Sequence, residues 1–136
     1  MNHFFHKRGF TLTELLIVLT IVSILATLTV PSYSQYLYKT RRADAVASLL
    51  QIHLAQEQWR AQHGQYSQTL NELGWQDNDS ADRYYRLNLE WLQDGQWRAT
   101  AKPVGIQAGD SCPPFAIGVN GPLYGGAFAE PSCWNR

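Results

Sequence analysis

The feature that most restricts this chain is one apolar run near its start. Phe10 to Val30 reads FTLTELLIVLTIVSILATLTV, and Glu14 is its only charged residue. As a helix these residues extend about 31 Å, enough to cross a hydrocarbon core. The whole chain has 136 residues. That leaves room for one modest domain beside the span and excludes two substantial cores.

Lys7 and Arg8 precede the run and hold the N-terminus on the cytoplasmic side, which sends everything after Val30 outward. An ordinary secretory signal places its apolar region before a cleavage site of small residues. Here the order is reversed. The basic leader MNHFFHKRG ends before the run, so a cut after Gly9 would keep the hydrophobic helix in the mature protein. An uncleaved anchor, with Gly9 only a flexible residue, satisfies charge and hydropathy equally well. Glu14 argues against it: an unpaired carboxylate near a membrane interface costs about 2–3 kcal/mol, less if it snorkels, so a paired role is expected.

Formal net charge is zero, and of 11 basic residues two lie in the leader, leaving nine against 11 acidic ones. Bulk charge therefore argues against a generic nucleic-acid binder. Cys112 and Cys133 are far apart and outside any CxxC pattern, which suits one structural disulfide and a non-cytoplasmic compartment. Closing such a loop is worth roughly 3 kcal/mol in the chain-entropy picture.

Beyond the run, Pro31 is expected to kink, loosen or end the helix by removing a backbone donor. The following segment lacks Pro and Gly, and Ala43, Val46, Ala47, Leu50, Leu54 and Ala61 recur near helical spacing, so they are read as the packed face. Gly64 is a suitable stop. Phe10 to His63 would then extend about 80 Å, more than a domain of this size can bury. Residues 64–83 read as a polar loop anchored by Leu70, Leu73 and Trp75, with a short helical turn at Gln68 to Leu73.

The period then changes. Tyr85, Leu87, Leu89 and Trp91 alternate with polar residues, as do Trp97, Ala99 and Ala101 after the turn Gln93-Asp94-Gly95-Gln96, predicting a hairpin with one buried face. Phe115, Ile117 and Val119 predict a third strand. A long helix followed by an antiparallel sheet is an α+β arrangement, with the amphipathic half of the helix on the sheet.

The string G-F-T-L-T-E before an apolar helix resembles the prepilin signature of type IV pilins and related pseudopilins, with Gly9, Phe10 and Glu14 at the motif positions. More loosely, LNLEWLQDGQWRATAKPVGIQAGDSC and the closing Cys-Trp are similar to PilE-type minor pilins. The resemblance implies the type IV pilin fold, and the organisation is then a leader at 1–9, a transmembrane or filament-core half-helix at 10–30, an amphipathic half at 31–63 and a loop-and-sheet domain at 64–136. It implies cleavage between Gly9 and Phe10 by a prepilin peptidase, N-methylation of Phe10, and a role for Glu14 as counter-charge to the amine of Phe10 in a neighbouring subunit. Pro31 would accompany packing into the filament, and Cys112 with Cys133 would close the C-terminal region.

Its implied partners are other pilins, the peptidase and an inner-membrane assembly platform. Its implied location is the inner membrane and then the pilus. Twitching, adhesion or DNA uptake are the associated functions, and a type II secretion pseudopilin is the rival within the resemblance.

Other chemistry finds little support. His53 and His63 read as structural, the acidic Asp77, Asn78, Asp79 and Asp82 lack the spacing of a calcium loop, and no nucleotide or hydrolase motif occurs. No catalysis, metal or cofactor is expected. Arg86, Arg98 and Lys102 fall on the polar face of the predicted hairpin, near Arg83, where contacts to DNA phosphates are conceivable; a solvated face interspersed with Glu90 and Asp94 is preferred. Lys39, Arg41 and Arg42 form a second basic cluster suited to lipid phosphates or acidic neighbours, and Tyr33, Tyr36 and Tyr38 suit an interfacial belt.

Overall fold

The computed structural model describes residues 9–134. The leader before Gly9 lies outside the described residues. In chain order the elements are α1 (Leu12–His63), β1 (Tyr85–Trp91), β2 (Trp97–Pro103), β3 (Phe115–Gly118), β4 (Gly121–Leu123) and α2 (Pro131–Trp134), with 3-10 turns at Gln93–Gly95 and Gly105–Gly109. Two compact units divide between Gln35 and Tyr36.

The first unit is the apolar stretch of α1. Its large side chains from Phe10 to Leu28 are exposed, and its mean hydropathy reaches 2.3 over an 18-residue window. Its hydroxyls nevertheless find partners: Thr20 donates to the Leu16 carbonyl at 2.8 Å, Ser23 to Leu19 at 2.7 Å and Thr27 to Ile24 at 2.7 Å. Polar groups that return to their own helix leave little for hydrocarbon to desolvate. Of the kink, loosening or break expected at Pro31, the break does not occur: α1 continues through it as the single element read from Phe10 to His63, because a proline removes only one donor and the turns on either side carry the helix past it.

In the second unit α1 packs on a four-stranded antiparallel sheet of order β1-β2-β3-β4. Register pairs Tyr85 with Pro103 and Trp91 with Trp97, so Tyr85, Leu87, Trp97, Ala99 and Ala101 share the buried face, joined by Phe115 and Ile117. The alternation read from sequence is the alternation of burial over β2 and the first half of β1; it fails at Trp91, which is 41% exposed at the end of β1, and in β3, where every residue is buried and which stops at Gly118, short of Val119. The glycine-rich tail supplies β4 as a short edge, with Pro122 opposite Ile117. At the other edge residues 78–80 run alongside β1, Leu87 N donating to the Asn78 carbonyl at 2.6 Å and Ser80 N to Tyr85 at 2.9 Å.

The packed face of α1 differs from the expected one. Ala45, Leu49, Ile52 and Gln56 are fully buried, whereas Leu50 and Leu54 are at least half exposed and Ala47 and Ala61 face solvent. Both sets have helical spacing, and the contacts decide between them. Gln56 lies in the buried row because its amide closes two bonds with the backbone of Ser67, Nε2 to the carbonyl and N–H to Oε1, both 2.9 Å. That exchange satisfies the loop where a short helical turn was expected. Instead of a helix, residues 70–74 form turns in which Leu73 N and Trp75 N both donate to the Leu70 carbonyl. His53 meets the Gly118 carbonyl at 3.2 Å beside Trp97, a helix–sheet contact. Gly64 ends α1 with φ +77°, its N–H reaching the Arg60 carbonyl at 2.8 Å.

At the end where the chain enters this unit, polar groups tie helix to loops. Arg42 grips Asp110 through two bonds of 2.8 and 2.6 Å. Gln107, fully buried, donates to the Tyr38 carbonyl at 3.1 Å and to the Tyr85 hydroxyl at 3.0 Å. Burial pushes the Tyr85 hydroxyl up to about 12, so it stays protonated. Asp44, also buried, accepts from the Ser80 hydroxyl and from Asp82 N. The disulfide Cys112–Cys133 joins the loop before β3 to α2, and Trp134 lies edge-on to Phe115 at 5.4 Å.

Candidate functional site

Two places answer the candidate residues. At the start of the described chain Gly9, Phe10 and Thr11 are outside the helix, and Phe10 is 84% exposed. Helix α1 opens at Leu12 because Thr11 and Glu14 cap it reciprocally. Glu14 N donates to Thr11 Oγ1 at 3.2 Å, and the Glu14 carboxylate receives Thr11 N at 3.0 Å and Thr11 Oγ1 at 2.9 Å. This is a capping box, which satisfies donors that a helix start leaves orphaned. The carboxylate therefore has partners within its own chain. Thr11 was not among the sequence candidates, although T-L-T-E carries the spacing of the motif.

The arrangement leaves the Gly9–Phe10 peptide on non-helical, exposed backbone, two residues ahead of a fixed helix start. Pro31 lies within α1, away from this end, and its side chain lies outside what the structure describes.

The second place is the outer face of the hairpin. Arg86 and Lys102 are directly opposite in register, and Arg98 is opposite Glu90. The three candidates share one face but not one electrostatic state. Arg98 binds Glu90 with two nitrogens and lies over the Phe128 ring at 5.1 Å, so its charge is matched. Arg86 Nε meets Asp79 at 2.6 Å, with 60% of its side chain exposed. Arg83 approaches Asp77 only at 3.8 Å, both exposed. Lys102 is exposed and forms no ion pair among the described residues. Arg41 stacks over Tyr84 at 4.9 Å. Chemically the face can hold phosphate at Lys102 and at the outer edge of the Arg86 guanidinium; the acidic loop supplies Asp79 to Arg86 and, more loosely, Asp77 to Arg83. No group of three or more metal-ligating side chains occurs among the described residues.

Residues 5–30 match the prokaryotic N-terminal methylation motif. Residues 31–116, more than half the chain, match the family described as type IV minor pilin ComP, DNA uptake sequence receptor. Among relatives, the type IV major pilin protein PilA of Myxococcus xanthus (strain DK1622) is 33% identical over 83 residues, 60% of this chain and 37% of that protein. The prepilin peptidase-dependent protein D of Escherichia coli (strain K12) is 36% identical over 58 residues, covering 43% and 40%. A type IV major fimbrial protein FimA of Dichelobacter nodosus is 40% identical over 52 residues, covering 37% and 32%. This chain thus spans two fifths or less of the length of these relatives. The methylation motif, the long apolar helix, the four-stranded sheet and the C-terminal disulfide agree with one another, and the chain belongs to the type IV minor pilin family.

Proposed function

We propose that the chain is a minor pilin subunit: an inner-membrane precursor, N-terminus cytoplasmic, that a prepilin peptidase cuts between Gly9 and Phe10 before the segment 10–30 packs into a pilus. The observation that carries this reading is an apolar helix whose large side chains from Phe10 to Leu28 are exposed among the described residues, opened by an exposed, non-helical Gly9–Phe10 peptide. In this reading residues 1–9 are leader, 10–30 and 31–63 are the two halves of the helix, and 64–136 form the outward domain. Cutting creates an amine on Phe10, which is then methylated. Glu14, released from Thr11, meets that amine on a neighbour, where a low dielectric strengthens the pair. Other pilins and the inner-membrane assembly platform are its partners, and Pro31 adapts the helix to the filament. The role is structural and asks no catalysis or cofactor of the chain. Mass spectrometry of the mature protein tests it: the expected start is N-methylated Phe10, and an intact Met1 overturns it.

A second reading adds DNA uptake, favoured by the description of the family that residues 31–116 match. The hairpin face would serve through Lys102 and Arg86, with Arg98 held back by Glu90. Duplex binding by the full chain in detergent should weaken on Lys102→Ala, the salt slope falling by about 0.9 for each phosphate no longer neutralised. Arg98→Ala should change it least. No binding at low salt would remove this reading and leave the pilus role standing. A role in twitching or adhesion is equally compatible with the filament assignment.

A further inference from the structure

We propose that the end of the second unit where the chain enters it is a docking surface for anionic phospholipid headgroups, formed by Tyr36, Lys39, Arg41, Lys102 and Ile106. The inference rests on reading residues 10–30 as a single membrane span, and it concerns the precursor before assembly.

Three observations meet at this end. The first is continuity: only residues 31–35 separate Val30 from Tyr36, where the packed unit begins, so along the chain this end follows the span directly. The second is a loop held in place. Gly105–Gly109 is fastened to α1 at the level of Tyr38, through Gln107 Nε2 on the Tyr38 carbonyl at 3.1 Å and through Gly109, where a Cβ would lie 2.6 Å from the Tyr38 hydroxyl. So fixed, the loop presents Ile106 with 63% of its surface exposed, while Tyr36 is 66% exposed. An exposed aliphatic side chain on a loop so held, and an exposed tyrosine at the start of the same unit, are what a headgroup boundary accepts and water does not reward.

The third observation is charge. Lys39 and Lys102 are exposed, and Arg41 lies over Tyr84. Two carboxylates nearby are turned inward: the Asp110 side chain is 1% exposed and held by Arg42, and Asp44 is buried against Ser80. Asp79 is engaged by Arg86, opposite Lys102 in register, and Asp82 remains exposed in the turn where its N–H meets Asp44. A furrow of about 450 Å³ lined by Tyr36, Lys39, Thr40 and Ala43 opens beside Lys39. Duplex phosphates would use the cations but leave Ile106 and Tyr36 in water, whereas an anionic lipid surface uses both.

The test places the full chain in nanodiscs of phosphatidylglycerol or phosphatidylcholine doped with a phospholipid bearing a diazirine near its headgroup, and maps cross-links by mass spectrometry. In phosphatidylglycerol, peptides containing residues 36–42 and 104–109 should label well above the hairpin tip at 92–96. Labelling should fall in phosphatidylcholine, and roughly fivefold for each cation removed, as in Lys39→Gln. Ile106→Ser should lose label at 104–109 and Ile106→Leu should keep it. Labels confined to 10–30, or equal at the hairpin tip, would overturn the docking surface while the span survives. A chain that fails to enter the discs removes the span and the proposal together.

Discussion

Arg42 and Asp110, 68 residues apart in sequence, face each other through two parallel hydrogen bonds, Nε to Oδ2 at 2.8 Å and Nη2 to Oδ1 at 2.6 Å. The guanidinium is 14% exposed and the carboxylate 1%, so both charges are largely out of water. Paired, they offset each other's desolvation; unpaired, neither does. Burial alone would raise the Asp110 carboxyl. The hydrogen bond from Arg42 and those from the backbone of Cys112 and Ser111 nevertheless hold it below the ordinary carboxylate range. Arg42 is raised, first by the same bond.

Removing Arg42 should therefore be costlier than removing both partners. We expect Arg42→Ala to destabilise by about 3 kcal/mol in urea titrations, with Asp110→Asn in the same background recovering part of it. The pH dependence follows from the lowered carboxyl: the unfolded chain takes up the proton first. The contribution of the pair is thus complete above the ordinary carboxylate range and is lost as pH falls through the folded-state value. The gap in Tm between the parent and Asp110→Asn should narrow below about pH 4. A gap that stays constant down to about pH 2 would contradict a pair-linked titration.

Leu49 and Leu50 are sequence neighbours with opposite fates, one fully buried against the sheet and one half exposed. Leu49→Ala should cost about 2–5 kcal/mol, and Leu50→Ala should stay within roughly 0.5 kcal/mol. Equal effects from chemical denaturation would mean that the face of α1 on the sheet is not the one described.

That pair also marks where sequence stops being sufficient. Strands β1 and β2 were legible because alternation assigns each residue to a face directly, and Tyr85, Leu87, Trp97 and Ala99 follow it. Along α1, apolar residues lie on more than one side, so Ala43-Ala47-Leu50-Leu54 and Ala45-Leu49-Ile52 satisfy the helical period equally. What separates them is non-local: Asp44 with Ser80 and Gln56 with Ser67 place polar residues in the buried row. Gly9, Phe10 and Glu14 fall within a contiguous stretch, residues 5–30, that matches the N-terminal methylation motif, and a local motif is readable without the fold. The hairpin cations were readable as a face but not as charges in balance. Glu90 is a register neighbour of Arg98, whereas Asp79 reaches Arg86 only through the fold.

Gln56 supplies both halves of a reciprocal bond with a buried backbone, and no other side chain has that pair of groups at that length. Gln56→Leu fits the volume but leaves the Ser67 N–H and carbonyl unpaired, at about 1–3 kcal/mol for each group so stranded. Gln56→Glu keeps the acceptor and loses the donor, and should fall between. Hydrogen exchange at Ser67 provides the direct readout: its amide should lose protection in the Leu variant and retain part of it in the Glu variant.

Thr11 and Glu14 open the helix together, so their effects should be coupled. In detergent micelles Thr11→Val should lower helix-start stability by about 1 kcal/mol, seen as roughly fivefold faster exchange of the Glu14 amide. Thr11→Ser should preserve protection. If Glu14→Gln and Thr11→Val were additive, the reciprocal cap would not be the link between them.

If the chain is the pilus subunit proposed above, the borders of its sheet carry a consequence. One border is lined by residues 78–80, and the other is a three-residue strand with Pro122 in it. An open, long border offers unpaired backbone groups to any identical neighbour, and crowding subunits along a fibre would make such encounters constant. With both borders blunted, strand-to-strand accretion of the amyloid kind is discouraged, and in a filament growth would be left to the apolar helix.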